Sequence, residues 1–119
     1  MIIFHLCTEK KEKEVERIAG EIGHGILKTG YGDLNKVLLG LCENKSLHKD
    51  IKLPLLYNMP EVLIFYKTED EELDRFLDMY RETGLEGIKL KSIITPTNIN
   101  WTLYELIEEL KKESAFITQ

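Results

Sequence analysis

The stretch VLIFYKTEDEELDRFLDMYRETGLEGIKLKSII, residues 62–94, decides how this chain folds. It opens on Val62-Leu63-Ile64-Phe65-Tyr66, an apolar run of strand length that is nearly continuous, as expected of a central strand covered on one or both faces. The period then changes. Leu73, Phe76, Leu77 and Tyr80 recur at i, i+3, i+4 and i+7 among Glu, Asp and Arg, which predicts a helix with one apolar stripe. Thr68-Glu69-Asp70-Glu71 ahead of it has the form of a capping box. After Gly84 the period falls to two. Ile88, Leu90, Ser92 and Ile94 alternate with Lys89, Lys91 and Ile93, the pattern of a strand with one wetter face. Strand, helix, strand in this order favours a parallel pair joined by a crossover helix.

The same template recurs outward in both directions. Ile2 to Leu6 is a second apolar strand candidate, and Gly25 to Thr29, after the Gly23-His24-Gly25 break, is a weaker one. Three further sets have the helical spacing: Val15, Ile18, Ala19, Ile22; Leu34, Val37, Leu38, Leu41; and Leu103, Leu106, Ile107, Leu110. Ile3-Phe4 and Ile64-Phe65 lie 61 residues apart, as do Gly23 and Gly84, and Lys28 and Lys89. The expected fold is α/β, an α+β sandwich in which two βαβα repeats share one four-stranded sheet, arranged as in ferredoxin-like folds or as a small doubly wound sheet. The expected organisation is one domain over 1–119, with repeats at about 1–42 and 61–113. Residues 43–60 connect them: a loop with Pro54, Pro60 and an apolar island at Leu53, Leu55 and Leu56.

Composition bounds the function. Of 119 residues, 43% are hydrophobic and 31% charged, which is a globular balance. Sixteen basic against 21 acidic residues give a net charge of −5, which argues against a surface built to coat nucleic acid. The basic group Lys45, Lys49, Lys52 and His48 in the connector reads as loop solubility. The run from Met1 to Cys7 lacks a basic flank and is too short for a signal peptide, and no stretch reaches the ~20 apolar residues of a membrane span. A cytoplasmic protein is expected, with Cys7 and Cys42 as small buried hydrophobes.

Catalytic and metal constellations are hard to assemble. His5 and Cys7 alternate on one strand and would share a face, but no third ligand lies at a useful spacing for a zinc site. Neither nucleotide-binding glycine motif is present. Gly30-Tyr31-Gly32-Asp33 is a turn before a helix, with Asp33 placed as its N-cap. No cofactor is implied.

The richest polar segment is Thr95-Pro96-Thr97-Asn98-Ile99-Asn100-Trp101, where a strand end leads into a helix. Thr102-Leu103-Tyr104-Glu105 is a capping box for that helix. Strand ends followed by helix N-termini are where α/β proteins hold ligands, and the helix dipole there favours anions. Thr95, Thr97, Asn98 and Asn100 would donate to a phosphate or carboxylate, with Lys89 and Lys91 as counter-charge. The competing reading is a rigid turn whose Thr and Asn side chains satisfy their own backbone.

The run Lys91 to Leu103, followed by Glu105-Leu106 and Glu109-Leu110, resembles the C-terminal signature of a small prokaryotic family known as domain of unknown function 3783, and Tyr31 to Leu41 is similar to its central segment. The resemblance implies an intact domain and draws attention to the Thr-Pro-Thr-Asn loop. It implies no reaction. The expected function is therefore a non-catalytic binding or interaction domain, with homodimerisation as one way to protect the edges of a small sheet. The alternative is a small enzyme or ligand-responsive subunit holding an anionic metabolite at the Thr95–Asn100 loop.

Overall fold

Alternate side chains of the two central strands point to opposite faces, and both faces are apolar, so the sheet must be covered twice. The computed structural model describes residues 1–57 and 60–117. In chain order the elements are β1 (Ile2–His5), α1 (Glu9–Glu21), β2 (Ile26–Thr29), a 3-10 turn (Tyr31–Asp33), α2 (Leu38–Glu43), β3 (Val62–Phe65), α3 (Asp70–Glu82), β4 (Leu90–Ile93), a second 3-10 turn (Asn98–Asn100) and α4 (Leu103–Ile117). Ile2, Phe4, Leu63 and Phe65 pack under α1 and α3, against Val15, Ile18, Ala19, Phe76 and Tyr80. Ile3, Val62, Ile64 and Leu90 face the other way, onto Leu34, Leu38 and Cys42 and onto Leu103, Leu106, Ile107 and Leu110 of α4. The expected sandwich around one four-stranded sheet is present.

The strand order is β2-β1-β3-β4. β1 and β2 run parallel, as do β3 and β4, whereas β1 and β3 meet antiparallel with Ile3 opposite Ile64. This mixed sheet is not a parallel doubly wound one. Nor does a strand separate the two members of each βαβ unit, as it does in a split, ferredoxin-like sheet. Since β1 and β3 oppose, the carboxyl ends of β1 and β2 lie on one rim of the sheet and those of β3 and β4 on the other.

Features recur at the 61-residue spacing as far as Gly84. α1 and α3 each have 13 residues. Leu6 and Lys67, after β1 and β3, both have positive φ, as do Gly23 and Gly84 after the helices. Beyond Gly84 the spacing widens: Leu27 lies beside Ile3, whereas Ser92 lies beside Ile64. Lys28 and Lys89 are therefore not at matching places.

Three local expectations change. Leu34, Val37 and Leu38 are buried, but the helix begins only at Leu38. The backbone ahead of it bonds elsewhere: Val37 N–H donates to the Leu47 carbonyl, and the Lys36 carbonyl accepts from Leu103 N–H. Asp33 is not a helix N-cap; its carboxylate accepts from Gly30 N–H at 2.9 Å and closes the 3-10 turn. The box before α3 sits one residue later than expected, with Glu69 N–H donating to Glu72 at 3.0 Å. The box before α4 is as expected: Thr102 N–H donates to Glu105, and Glu105 N–H to the Thr102 hydroxyl, at 3.0 and 3.1 Å. These bonds, the Thr102 amide first, hold the Glu105 carboxyl below the usual range.

Candidate functional site

The two halves treat their strand-to-helix segments differently. On the β4 side, the Asn98 carboxamide oxygen accepts from Thr95 N–H at 2.9 Å and its nitrogen donates to the Ile93 carbonyl at 3.0 Å. The Thr95 hydroxyl accepts from Asn98 N–H at 3.1 Å. Thr95 and Asn98 thus satisfy their own loop, and Asn98 is buried beneath it. Thr97 and Asn100 are exposed. Lys89 and Lys91 are not brought to them. Both lie toward the amino end of β4, and the six residue steps from Lys89 to Thr95 span about 20 Å of extended chain. Lys91 donates to the Ile88 carbonyl at 2.6 Å. Lysines on an edge strand also resist pairing with a foreign strand.

On the β2 side the corresponding segment is open. A groove of about 620 Å³ runs along the carboxyl half of β2. Its walls come from Lys28 and Thr29, from Asp33 to Lys36 behind the 3-10 turn, and from the Asn44–His48 turn that folds back over α2. An antiparallel bridge between Lys36 and His48 and the bond from Lys45 N–H to the Gly40 carbonyl, 2.8 Å, hold that turn. Gly40 permits the approach: a Cβ there would lie 2.6 Å from the Lys45 carbonyl oxygen. Asn44, at the end of α2, takes the left-handed conformation with φ 55°.

The charges in the groove divide into those held in close ion pairs and those that are not. Lys28 pairs with Glu12 and Lys36 with Asp33, each at 2.6 Å. Burial works against Asp33 ionising, but Lys36 and the Gly30 amide overcome it and hold its carboxyl below the usual range. Among the described residues, Lys45 and the His48 ring make no ion pair or side-chain hydrogen bond, and the Tyr66 hydroxyl bond, helped by the Lys67 and Lys45 charges, holds the Glu43 carboxyl below its usual range. Behind the wall His5 is fully buried, its Nδ1 2.8 Å from the Thr29 hydroxyl and its Nε2 without a partner among the described residues. Burial pushes the His5 pKa down.

The remaining candidates resolve into structure. His5 and Cys7 do not share a face: Leu6, at φ 49°, ends the strand, and Cys7 packs against the α1/α3 layer. Burial first, and neighbouring Glu61 and Glu43, push the Cys7 and Cys42 thiols up to about 11. Neither is a thiolate at neutral pH. His24 lies between the Met1 amino group, 2.9 Å from Nδ1, and Glu72, 3.0 Å from Nε2. Among the described residues, no three His, Cys, Asp or Glu side chains are placed to hold a metal ion, and no helix is long and apolar enough to cross a membrane.

Sequence reasoning grouped Lys45 with His48 in the connector and placed Asp33 in the turn before α2, but did not bring the two segments together. The usable signal was Gly40, a glycine inside an apolar helical stripe, which marks a close backbone approach. No curated protein matches this chain. The segment resembling a family signature, Lys91 to Leu110, lies inside a longer match, whereas Tyr31 to Leu41 lies outside it. The model for the family described as Domain of unknown function (DUF3783) matches residues 61–117, so it is the β3-α3-β4-α4 half that is similar to that family.

Proposed function

We propose that this protein acts by binding, and that the groove between β2 and the Asn44–His48 turn takes a small phosphate- or carboxylate-bearing molecule. One observation carries the reading: in a chain of net charge −5, the groove is lined by Lys28, Lys36, Lys45 and His48 against Asp33 as its acidic residue, and among the described residues Lys45 and the His48 ring make no ion pair or side-chain hydrogen bond. Asn35, Asn44 and Ser46 add neutral donors along the same wall. The location agrees with the preference of α/β folds for ligands beyond strand carboxyl ends. We further propose a single domain of two βαβα repeats, supported by the shared sheet and by the recurrence of positive-φ residues and helix lengths at the 61-residue spacing.

Thermal unfolding with inorganic phosphate, nucleotides, sugar phosphates and dicarboxylates tests the site. The expected result is a raised midpoint with at least one of them, lost in the Lys45→Ala/His48→Ala double variant and kept in Thr97→Ala/Asn100→Ala. Unmoved melting curves across the panel, or loss in the Thr97/Asn100 variant only, would overturn the assignment. The second outcome would return the site to the loop before α4.

A further inference from the structure

The connector presents an apolar pair that its own chain does not bury. Leu55 is 100% and Leu56 96% exposed. They are not at the tip of a free loop, because both flanks are fixed. Leu53 packs against the α2/α4 layer. Tyr57 packs against Tyr104 with the rings tilted at 54° and their centroids 5.2 Å apart, donates from its hydroxyl to Glu108 at 3.0 Å, and lies under the Lys111 ammonium, 4.0 Å from the ring centroid. Single exposed apolar residues need no explanation, but a fully exposed adjacent pair anchored on both sides does.

The surface that Tyr57 leans on supplies the complement. Trp101, Tyr104, Glu105, Glu108, Glu109 and Lys112 line a cavity of about 420 Å³ along α4, apolar at its aromatic wall and acidic at its rim. Glu105 and Glu108 are engaged by Lys49 and Lys111. Among the described residues, Glu109 makes no ion pair, and neither does Lys52, three residues ahead of the leucine pair. We propose that a second copy of this chain is the occupant: Leu55 and Leu56 of each protomer enter the Trp101–Lys112 cavity of the other, with Lys52 facing Glu109 across the contact. Hook and cavity are neighbours in one protomer, since Tyr57 adjoins one and touches the other. A single two-fold axis beside α4 therefore makes both exchanges at once, an isologous and closed contact. Edge-to-edge sheet pairing is the less favoured route to a dimer, because Lys28 and Lys91 stand on the outer strands.

Sedimentation equilibrium on the full chain over a wide concentration range is the test. The wild type should pass from monomer to dimer, and Leu55→Asp/Leu56→Asp should stay monomeric with an unchanged melting midpoint. Lys52→Glu and Glu109→Lys should each weaken association severalfold, and the combined Lys52→Glu/Glu109→Lys chain should recover it. A wild type that is monomeric throughout overturns the proposal. So does a dimer that survives Leu55→Asp/Leu56→Asp, or a double charge reversal no better than its parents. Leucine-dependent binding of the monomer to anionic lipid vesicles would assign the pair to a membrane surface instead. None of these outcomes bears on the groove at Lys45 and His48, which is read by ligand-dependent melting.

Discussion

At the scale of single residues, two positions hold the β2 groove in shape. Gly40 lies inside α2, where alanine would ordinarily stabilise by roughly 0.5–1 kcal/mol. Here the methyl group would meet the Lys45 carbonyl oxygen at 2.6 Å and Leu47 Cβ at 3.0 Å. Backbone cannot yield cheaply, so Gly40→Ala is expected to destabilise by about 1–3 kcal/mol, read from the urea midpoint. His5 contributes a pH dependence. Burial lowers its pKa in the folded chain below the ordinary 6.5, and the Asp33 charge opposes this only in part. The unfolded chain therefore takes up the proton first. The stability due to neutral His5 is complete above pH 6.5 and is lost as the pH falls through the folded value. Melting midpoints from pH 7.5 down to about pH 5 should fall more steeply in the wild type than in His5→Gln, whose side chain does not titrate. Parallel curves would mean that His5 does not set the pH dependence of stability. The identity of these residues was legible in the sequence. That Gly40 meets Lys45, or that His5 Nε2 is orphaned, was not, because neither contact is local in the chain.

At the scale of elements, the helix signals written in short-range chemistry held best. The Thr102–Glu105 box begins α4 where it was expected, and Thr102 is fully buried. Thr102→Ala should cost about 1–2 kcal/mol by urea unfolding, with Thr102→Ser recovering most of it. α2 shows the limit of such signals. Its four apolar positions have helical spacing, and Leu34, Val37 and Leu38 are buried, yet only the last of these three is in the helix. A bridge between Val37 and Thr102 claims the backbone before it. Periodicity reports which side chains face the core; it does not report which backbone groups a distant segment will use. The Thr95–Asn100 loop teaches the same lesson. Its polar residues were visible, but the inward bonds of Asn98 follow from how the loop closes over Ile93.

At the scale of the whole molecule, four short strands feed two apolar layers, and α1 with α3 and α2 with α4 close them. Phe76, in edge contact with Phe65 at 5.3 Å between centroids, ties one layer to the sheet, and Leu106 ties the other. Phe76→Ala and Leu106→Ala should lower stability by about 3–5 and 2–5 kcal/mol respectively. If the chain is one cooperative domain, each lowers the same single transition by fluorescence and by circular dichroism. Separate transitions would divide the halves. The amino-acid sequence by itself determined that strands and helices alternate, that the central strands are covered on at least one face, and where α1, α3 and α4 lie, because these follow from side-chain period and from caps closed within a few residues. Only the tertiary structure decided that β1 and β3 meet antiparallel, that the open groove belongs to β2 while the β4 loop closes on itself, and that Leu55 and Leu56 stand clear of every layer. Those outcomes depend on hydrogen bonds and packing between segments far apart in the chain, which no local pattern encodes.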